Sequence, residues 1–413
     1  MGWAKTEMRE VNLGDKRLDA RLIHLTDSLS AKASASIPVA CQNWAEVKAA
    51  YRFFDNRKVT AEKIHKPHLS ATLERIRAHP VVLLLQDTTT LNFTGQKQRT
   101  DIGPLNHEKH RGLLLHPTLA VTPERLCLGV VDSYHWAREQ LHHHTSHREK
   151  NRINHTIPIE EKESYRWVEG YRKAAQIAKQ TPKTLIVSIS DREGDIYDLY
   201  HEAQFSTENH TAYWLIRASK NRRLLDDADE LRQQKLIETV KSTIPIGIIE
   251  FDLPARGTQK QRRIKQALYM SCVKLSPPDR KRKQTRYHIV ETNVVIASEV
   301  NPPTGEEPIE WVLLTNVPIK NSEDAQTLLQ WYLCRWQIEV YFRILKSGCQ
   351  VEKLQLETKT RFDTCLTLYM IIAWRILYLT LLARACPDLP CNVVFSDEEW
   401  EVIYKMTYQK KPP

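Results

Sequence analysis

Three acidic residues stand at positions where a carboxylate could hold a metal ion. Asp87 follows the apolar run Val81–Leu85 and Gln86, Asp191 follows the run Thr184–Ser190, and Glu339 lies in the stretch Trp331–Lys346, WYLCRWQIEVYFRILK. Each aspartate comes just after the carboxyl end of a strand-like segment, the edge where open α/β sheets place their ligands. Trp331–Lys346 reads as one long helix, on which steps of three, four or seven residues align Tyr332, Arg335, Glu339, Arg343 and Lys346 on one face. That row sets one acid among cations and a phenol. Arg and Lys give charge-assisted donors to anionic oxygens, so the cations could hold phosphates while the acid holds a metal. Each feature alone has an ordinary explanation, as a helix cap, a turn residue or a solvated face with ion pairs. Three acids on three core elements are what two-metal phosphoryl chemistry requires, with two divalent cations about 4 Å apart serving the attacking and leaving oxygens. Mg²⁺, or Mn²⁺ in its place, suits such an all-oxygen set.

The elements that must carry these residues can be read from the hydrophobic pattern. Asn321-Ser-Glu-Asp324 supplies an N-cap for the helix and Gly348 a stop. The runs Val81–Leu85, Thr184–Ser190, Ala212–Arg217 and Ile309–Thr315 predict buried strands. Leu113–Val121 and Leu126–Tyr134 predict a hairpin, and residues 160–179 a helix. Between Asn221 and Pro308 the pattern changes to alternating strands near 244–253, 264–273 and 287–297. Basic turns at Lys260–Arg263 and Arg280–Lys283 join them, which predicts an inserted β subdomain. The first 70 residues predict helices. One is capped at Asp15 with the stripe Leu18, Leu22, Leu25 and Leu29. Another is capped at Asn43, with Glu46 as capping-box partner and the stripe Trp44, Val47, Tyr51 and Phe54, and a third starts at Thr60. Lys16, Arg17 and Arg21, off the first stripe, are candidates for DNA phosphates.

With 413 residues and 41% hydrophobic content, the chain has room for two or three folded domains. Lys plus Arg outnumber Asp plus Glu by 60 to 50, a net charge of +10 that points toward a polyanionic partner. The eight cysteines form no CxxC pair and no signal peptide is evident, so free thiols in a reducing cytoplasm are expected. His142, His143, His144 and His147 have no second ligand group at a recognisable spacing and read as a polar loop. The apolar stretch Cys365–Arg384 carries Arg375 at its middle, which is costly in lipid; a buried core helix is expected, and no membrane partner.

Taken in order, these motifs resemble the DDE transposases of bacterial insertion sequences. The resemblance is greatest to the cut-and-paste group with the Y-x-x-R-x-x-x-E-x-x-x-x-x-x-K helix, which includes the Tn-five transposase. Tyr332, Arg335, Glu339 and Lys346 fit that spacing. Gln86–Thr89, Asp191–Glu193, Leu13–Asp15 and Ala50–Phe53 extend the match over most of the chain. The resemblance implies an α/β fold with an RNase H-like (retroviral integrase-like) core at 71–220 and 309–385. It also implies the inserted β subdomain at 221–308, a helical DNA-end-binding domain at 1–70, and a C-terminal segment at 386–413 shorter than the family's protomer-joining domain. Asp87, Asp191 and Glu339 would be the ligands of a two-metal Mg²⁺ (or Mn²⁺) site. Tyr332, Arg335 and Lys346 would grip phosphates, Trp336 and Trp311 would support a flipped base, and Arg217 and Lys220 would make further phosphate contacts. Trp311 fits a strand core equally well. The implied partners are double-stranded DNA, as element ends and target, and a second copy in a homodimer formed on DNA ends. The implied setting is the bacterial cytoplasm, at the nucleoid. A non-catalytic end-binding protein and an RNase H-like nuclease without strand transfer are the competing readings.

Overall fold

The computed structural model describes residues 2–96, 99–107, 109–139, 157–206, 212–226, 228, 230–253, 261–279, 287–395 and 397–410. The histidine cluster at 142–147, Lys260 and the Arg280–Lys283 turn lie outside them. In chain order, helices α1 (Trp3–Glu7), α2 (Lys16–Ala31), α3 (Ile37–Ala40), α4 (Trp44–Phe54) and α5 (Ala61–Arg77) come first. Strands β1 (Val81–Gln86), β2 (Thr89–Asn92), β3 (Gly103–Pro104), β4 (Arg111–Val121) and β5 (Cys127–Trp136) follow. Next are α6 (Tyr165–Gln180), β6 (Leu185–Ser190), α7 (Tyr197–Phe205), β7 (Ala212–Arg217), β8 (Arg223–Leu225), β9 (Leu231–Lys235), α8 (Leu236–Lys241) and β10 (Gly247–Leu253). After them come β11 (Arg262–Leu275), β12 (Val290–Glu299), β13 (Glu310–Thr315), α9 (Ser322–Leu333), α10 (Trp336–Arg343), α11 (Lys359–Ala385) and α12 (Asp397–Tyr408). Two compact units result. The first holds Met1–Val82, Asp87–Thr145 and Trp336–Pro413, and the second Leu83–Gln86 and Ser146–Arg335.

In the first unit, apolar stripes at helical spacing bury Leu22, Leu25 and Leu29 of α2 and Val47, Phe53 and Phe54 of α4. Side-chain caps start each helix. Asp15 accepts from Arg17 N, Asn43 from Glu46 N and Thr60 from Lys63 N. Trp44 departs from the expected stripe and is 69% exposed. Glu46 does not reciprocate as a capping box, because its carboxylate accepts from Arg21 Nη1 at 2.6 Å. Strands β4 and β5 form the expected antiparallel hairpin, and β2 and β3 also pair with β4. Helix α11 packs against α5 and β5, and its apolar window is 72% buried. Arg375, midway along it, donates to Val394 O at 2.9 Å and lies over the Trp3 ring.

In the second unit, β6 and β7 run parallel, β7 pairs antiparallel with β13, and β13 with β12, β12 with β11, and β11 with β10 and β8 follow. The pattern of burial separates two kinds of strand. β6 is buried almost throughout, as a continuous apolar run requires, whereas β10 alternates half-buried and exposed residues, as a strand with one wet face does. At the carboxyl end of β1, Gln86 donates to Ser188 Oγ of β6 at 2.7 Å. Gly170 of α6 leaves room for it, since a Cβ there would lie 2.0 Å from Gln86 Oε1 and the amide would have to move.

The single helix expected over Trp331–Lys346 is not formed. Helix α9, capped by Asn321 as anticipated, ends at Leu333, where Cys334 N and Arg335 N bond to the carbonyls of Trp331 and Tyr332, three residues back. Helix α10 begins at Trp336, and a π-helical turn, Ile344–Gly348, follows it. Such i→i−3 tightening ends an α-helix without a glycine or proline, so the sequence carried no sign of the break. The stop also differs. Gln350, with φ of 50°, takes the left-handed position that Gly348 was expected to supply.

Candidate active site and nucleic-acid interface

Asp191 lies one residue beyond β6, in the second unit. It is half-buried, and its Oδ1 accepts from Glu193 N at 2.8 Å, capping the 3₁₀ turn Arg192–Gly194. Tyr332, singled out in the sequence, lies near enough to feel its charge, and other candidate residues gather around Tyr332. Burial pushes the Tyr332 hydroxyl above its ordinary pKa, Arg335 and Arg217 pull it down, and the nearby Asp191 carboxylate raises it again. The net rise keeps the phenol protonated at neutral pH, able to donate to an anionic oxygen. Arg217 lies near enough to Tyr332 to lower its pKa and reaches Glu310 O at 3.5 Å. The Trp311 ring stands edge-on to Tyr332 at 6.2 Å between centroids and is half-buried, packing in β13 rather than standing clear of it. Lys220 is exposed in the middle of the loop between β7 and β8.

That loop is held by Asp195, a residue the sequence marked only as the last acid of Asp191-Arg-Glu-Gly-Asp195. The Asp195 carboxylate is fully buried. Its Oδ2 accepts from Ser219 N at 2.7 Å, Ser219 Oγ at 2.9 Å and Lys220 N at 3.2 Å, and its Oδ1 accepts from Tyr200 OH at 2.6 Å and from Arg222. Burial alone would raise its pKa, but Arg222 and the hydrogen bonds outweigh burial and hold the group below the ordinary carboxylate range. One short segment thus carries an acid with one oxygen capping a turn, Asp191, and an acid spent on anchoring, Asp195. Gly194 lets them sit so close, because a Cβ there would lie 2.1 Å from Ser190 Oγ and 3.2 Å from Trp167. Gly194→Ala is expected to cost about 1–3 kcal/mol of stability by overpacking, checked by urea denaturation. A variant as stable as the wild type would mean that the turn has room to shift.

Asp87 and Glu339 belong to the first unit. Asp87 is 9% exposed and its Oδ1 accepts from Thr88 N at 2.8 Å, while Thr88 Oγ1 bonds to Nδ1 of the buried His116 at 2.9 Å. Glu339 lies half-buried in the first turn of α10, and Trp336, three residues earlier, is 56% exposed. Lys346 sits in the π turn, where its Nζ donates to Thr90 O at 2.8 Å and pairs with Glu352 at 3.6 Å; Glu352 also accepts from Asn92 N at 2.7 Å. The lysine expected to meet phosphate therefore also ties the strand after Asp87. His116 and Glu352 escaped sequence reading because their partners, Thr88 and Lys346, are recognisable only once β2, β4 and the π turn are placed. Two aspartates and a glutamate offer oxygen donors alone, the chemistry that suits a hard divalent cation. Within either unit taken alone, no group of three or more described His, Cys, Asp or Glu residues could hold a metal ion by itself.

At the N-terminus, Lys16 and Arg17 are exposed at the start of α2. Lys16 Nζ lies 3.6 Å from Asp19, whose other oxygen accepts from Leu13 N. Arg21, one turn after Arg17, is committed to Glu46 of α4 and so orients α2 against α4.

Comparison with known proteins bears on both the N-terminal helices and the core. Residues 1–59 match the family described as transposase DNA-binding, and residues 197–375 match the transposase DDE domain. Among solved structures, a piggyBac transposase synaptic complex with hairpin DNA aligns over 98% of this chain and 78% of its own, at 11% identity and a TM-score of 0.37. That likeness is too loose to establish a shared fold.

Proposed function

We propose that this chain, a DNA transposase of the DDE class, excises a mobile element by nicking, hairpin formation and hairpin resolution, and then joins the freed ends to target DNA. The observation that carries the reading is the gathering of Arg335, Arg217, Trp311 and the strand-end Asp191 around Tyr332. A protonated phenol near two guanidiniums can bind a scissile phosphodiester and fix its orientation. We place the chain in the Tyr-Arg-Glu-Lys signature group, with an RNase H-like core at 71–220 and 309–385. The inserted β subdomain would be 221–308, the end-binding domain 1–70 and the C-terminal segment 386–413.

Asp87, Asp191 and Glu339 would hold Mg²⁺ or Mn²⁺, which when bound activates an attacking oxygen and stabilises a leaving one. The chain's own groups do the rest. Tyr332 donates its hydroxyl proton in a hydrogen bond to a non-bridging oxygen, Arg335 and Arg217 neutralise the phosphate, and Lys346 adds a charge once DNA competes with Thr90 and Glu352. Trp336, exposed beside Glu339 in sequence, offers a face for an unstacked base, whose extrusion costs a few kcal/mol. Each step exchanges one P–O bond for another. Water attacks first and releases a 3′-hydroxyl, which attacks the opposite strand to close a hairpin. A second water reopens the hairpin, and the freed 3′-hydroxyl attacks target DNA, so no covalent protein intermediate is required. A homodimer on paired ends would place two such sites together, in the bacterial cytoplasm at the nucleoid.

The test is to incubate the protein with DNA carrying the element's ends, a target plasmid and Mg²⁺, and to sequence the products. Hairpin-ended element DNA or element ends joined to target support the reading. Nicked DNA with neither would favour a nuclease without strand transfer.

A further inference from the structure

Trp44 is a large apolar side chain left 69% exposed in the region that matches the transposase DNA-binding family. It opens α4, whose buried stripe is Val47, Ala50, Phe53 and Phe54. Four-residue steps from Trp44 lead to Lys48 and Arg52, both exposed, so the outward stripe of the helix reads Trp, Lys, Arg. Lys48 Nζ lies over the Trp44 ring at 5.6 Å. The two acids nearest in sequence to these cations, Glu46 and Asp55, are committed elsewhere. Glu46 is paired with Arg21 at 2.6 Å and lies 3.7 Å from His24, and Asp55, just past the helix, accepts from Arg361 Nη2 at 2.5 Å. At 1.5 Å per residue the stripe runs about 12 Å along the axis, comparable to the width of the B-DNA major groove.

We infer that the outward stripe of α4 reads base sequence in duplex DNA, with Trp44 contacting base edges or faces and Lys48 and Arg52 contacting the flanking phosphates. Cations alone would recognise any phosphate backbone. An indole can offer a phosphate only its single N–H, whereas its flat apolar face can cover a thymine methyl or stack on a base. The Arg21–Glu46 pair sets α4 against α2, and Arg17 lies one turn before Arg21 on the same side of α2. It supplies a further phosphate contact beside the stripe.

The inference rests on the reading of residues 1–70 as the end-binding region. The experiment passes the full-length protein over a random-sequence duplex library and sequences what is retained. Wild type, Trp44→Ala, Trp44→Gln, Lys48→Ala and Arg52→Ala are then compared on the duplex that the wild type selects. Both Trp44 variants are expected to bind that duplex at least about fivefold more weakly and to select a sequence degenerate at one or two adjacent positions. Lys48→Ala and Arg52→Ala should select the wild-type sequence, bind it more weakly and each lower the salt slope by about one. Trp44 is exposed, so thermal unfolding should be unchanged in its variants, and agreement between Ala and Gln guards against a folding artefact. Trp44 variants that select and bind as the wild type does would overturn the inference. So would normal DNA selection with lost self-association, which would assign the stripe to a protein partner. If the wild type itself enriches no sequence, sequence-specific end binding fails instead.

Discussion

Replacing Asp191 by Ala is expected to lower Mg²⁺- or Mn²⁺-dependent cleavage of element-end DNA by about a thousandfold or more, with DNA binding within about twofold of wild type. The magnitude follows from the role. Removing a carboxylate that holds a catalytic cation forfeits several kcal/mol of charge stabilisation at phosphorus, and each 1.4 kcal/mol is about tenfold in rate. The alternative role visible in the structure is a cap on a single 3₁₀ turn. A lost cap costs about 0.5–2 kcal/mol of stability and leaves the chemistry in place. Asp191→Asn separates the two, because an amide oxygen can still cap but carries no charge for a metal. Under the metal role Asn is as inactive as Ala, and under the capping role it is nearly wild type. Single-turnover cleavage measured beside a gel-shift titration reads both quantities.

The largest stability effect is expected at Glu7. Its carboxylate, 5% exposed, accepts from Arg75 Nη1 and Nη2 at 2.9 Å each and from His68 Nδ1 at 2.5 Å. His68 Nε2 accepts from Val130 N at 2.9 Å, so the fully buried ring carries its one proton on Nδ1 and is neutral. Burial would raise the Glu7 pKa, but His68 and Arg75 bring it down to about 2 from an ordinary 4.5. Since the folded value is depressed, the stability it contributes is present above pH 4.5 and is lost as pH falls toward 2, amounting to about 3 kcal/mol. Burial likewise lowers the His68 pKa below its ordinary 6.5, which adds to the loss on acidification. Glu7→Ala leaves Arg75 and His68 without their shared acceptor and is expected to cost about 3–5 kcal/mol at pH 7. The difference from wild type should shrink as pH falls from 4.5 toward 2. Urea denaturation at pH 7 and pH 3 measures both, and a pH-independent difference would mean that the lost packing matters and the charge does not.

The strands were legible where burial is two-sided. Val81–Gln86, Leu185–Ser190 and Ala212–Arg217 read as continuous apolar runs because β1, β6 and β7 leave little surface to water. The same property made the strand-end aspartates stand out, since each apolar run gives way to charge at one point. Helix caps at Asp15, Asn43, Thr60 and Asn321 were equally local and were found. What escaped depends on partners far along the chain. Asp195 acquires its role from Ser219 and Arg222, and Lys346 its tie from Thr90, 256 positions away. The break at Cys334–Arg335 has neither glycine nor proline to announce it. Trp44 was misplaced because a period of 3.6 groups residues by face without saying where the buried stripe ends. Sequence spacing thus named Tyr332 and Arg335 as neighbours of chemical interest. Their common setting with Arg217, Trp311 and Asp191 came only from the folded second unit.

If Asp87, Asp191 and Glu339 together hold the catalytic cation, as proposed, Fe²⁺ substituted for Mg²⁺ will report all three positions at once. With ascorbate and peroxide, bound Fe²⁺ generates hydroxyl radicals that cut the polypeptide beside its ligands, and mass spectrometry locates the cuts. The prediction is DNA-stimulated scission near residues 87, 191 and 339 together, suppressed by excess Mg²⁺ and lost at all three positions in Asp191→Ala. Scission elsewhere, or scission at 87 and 339 that persists in that variant, would contradict it.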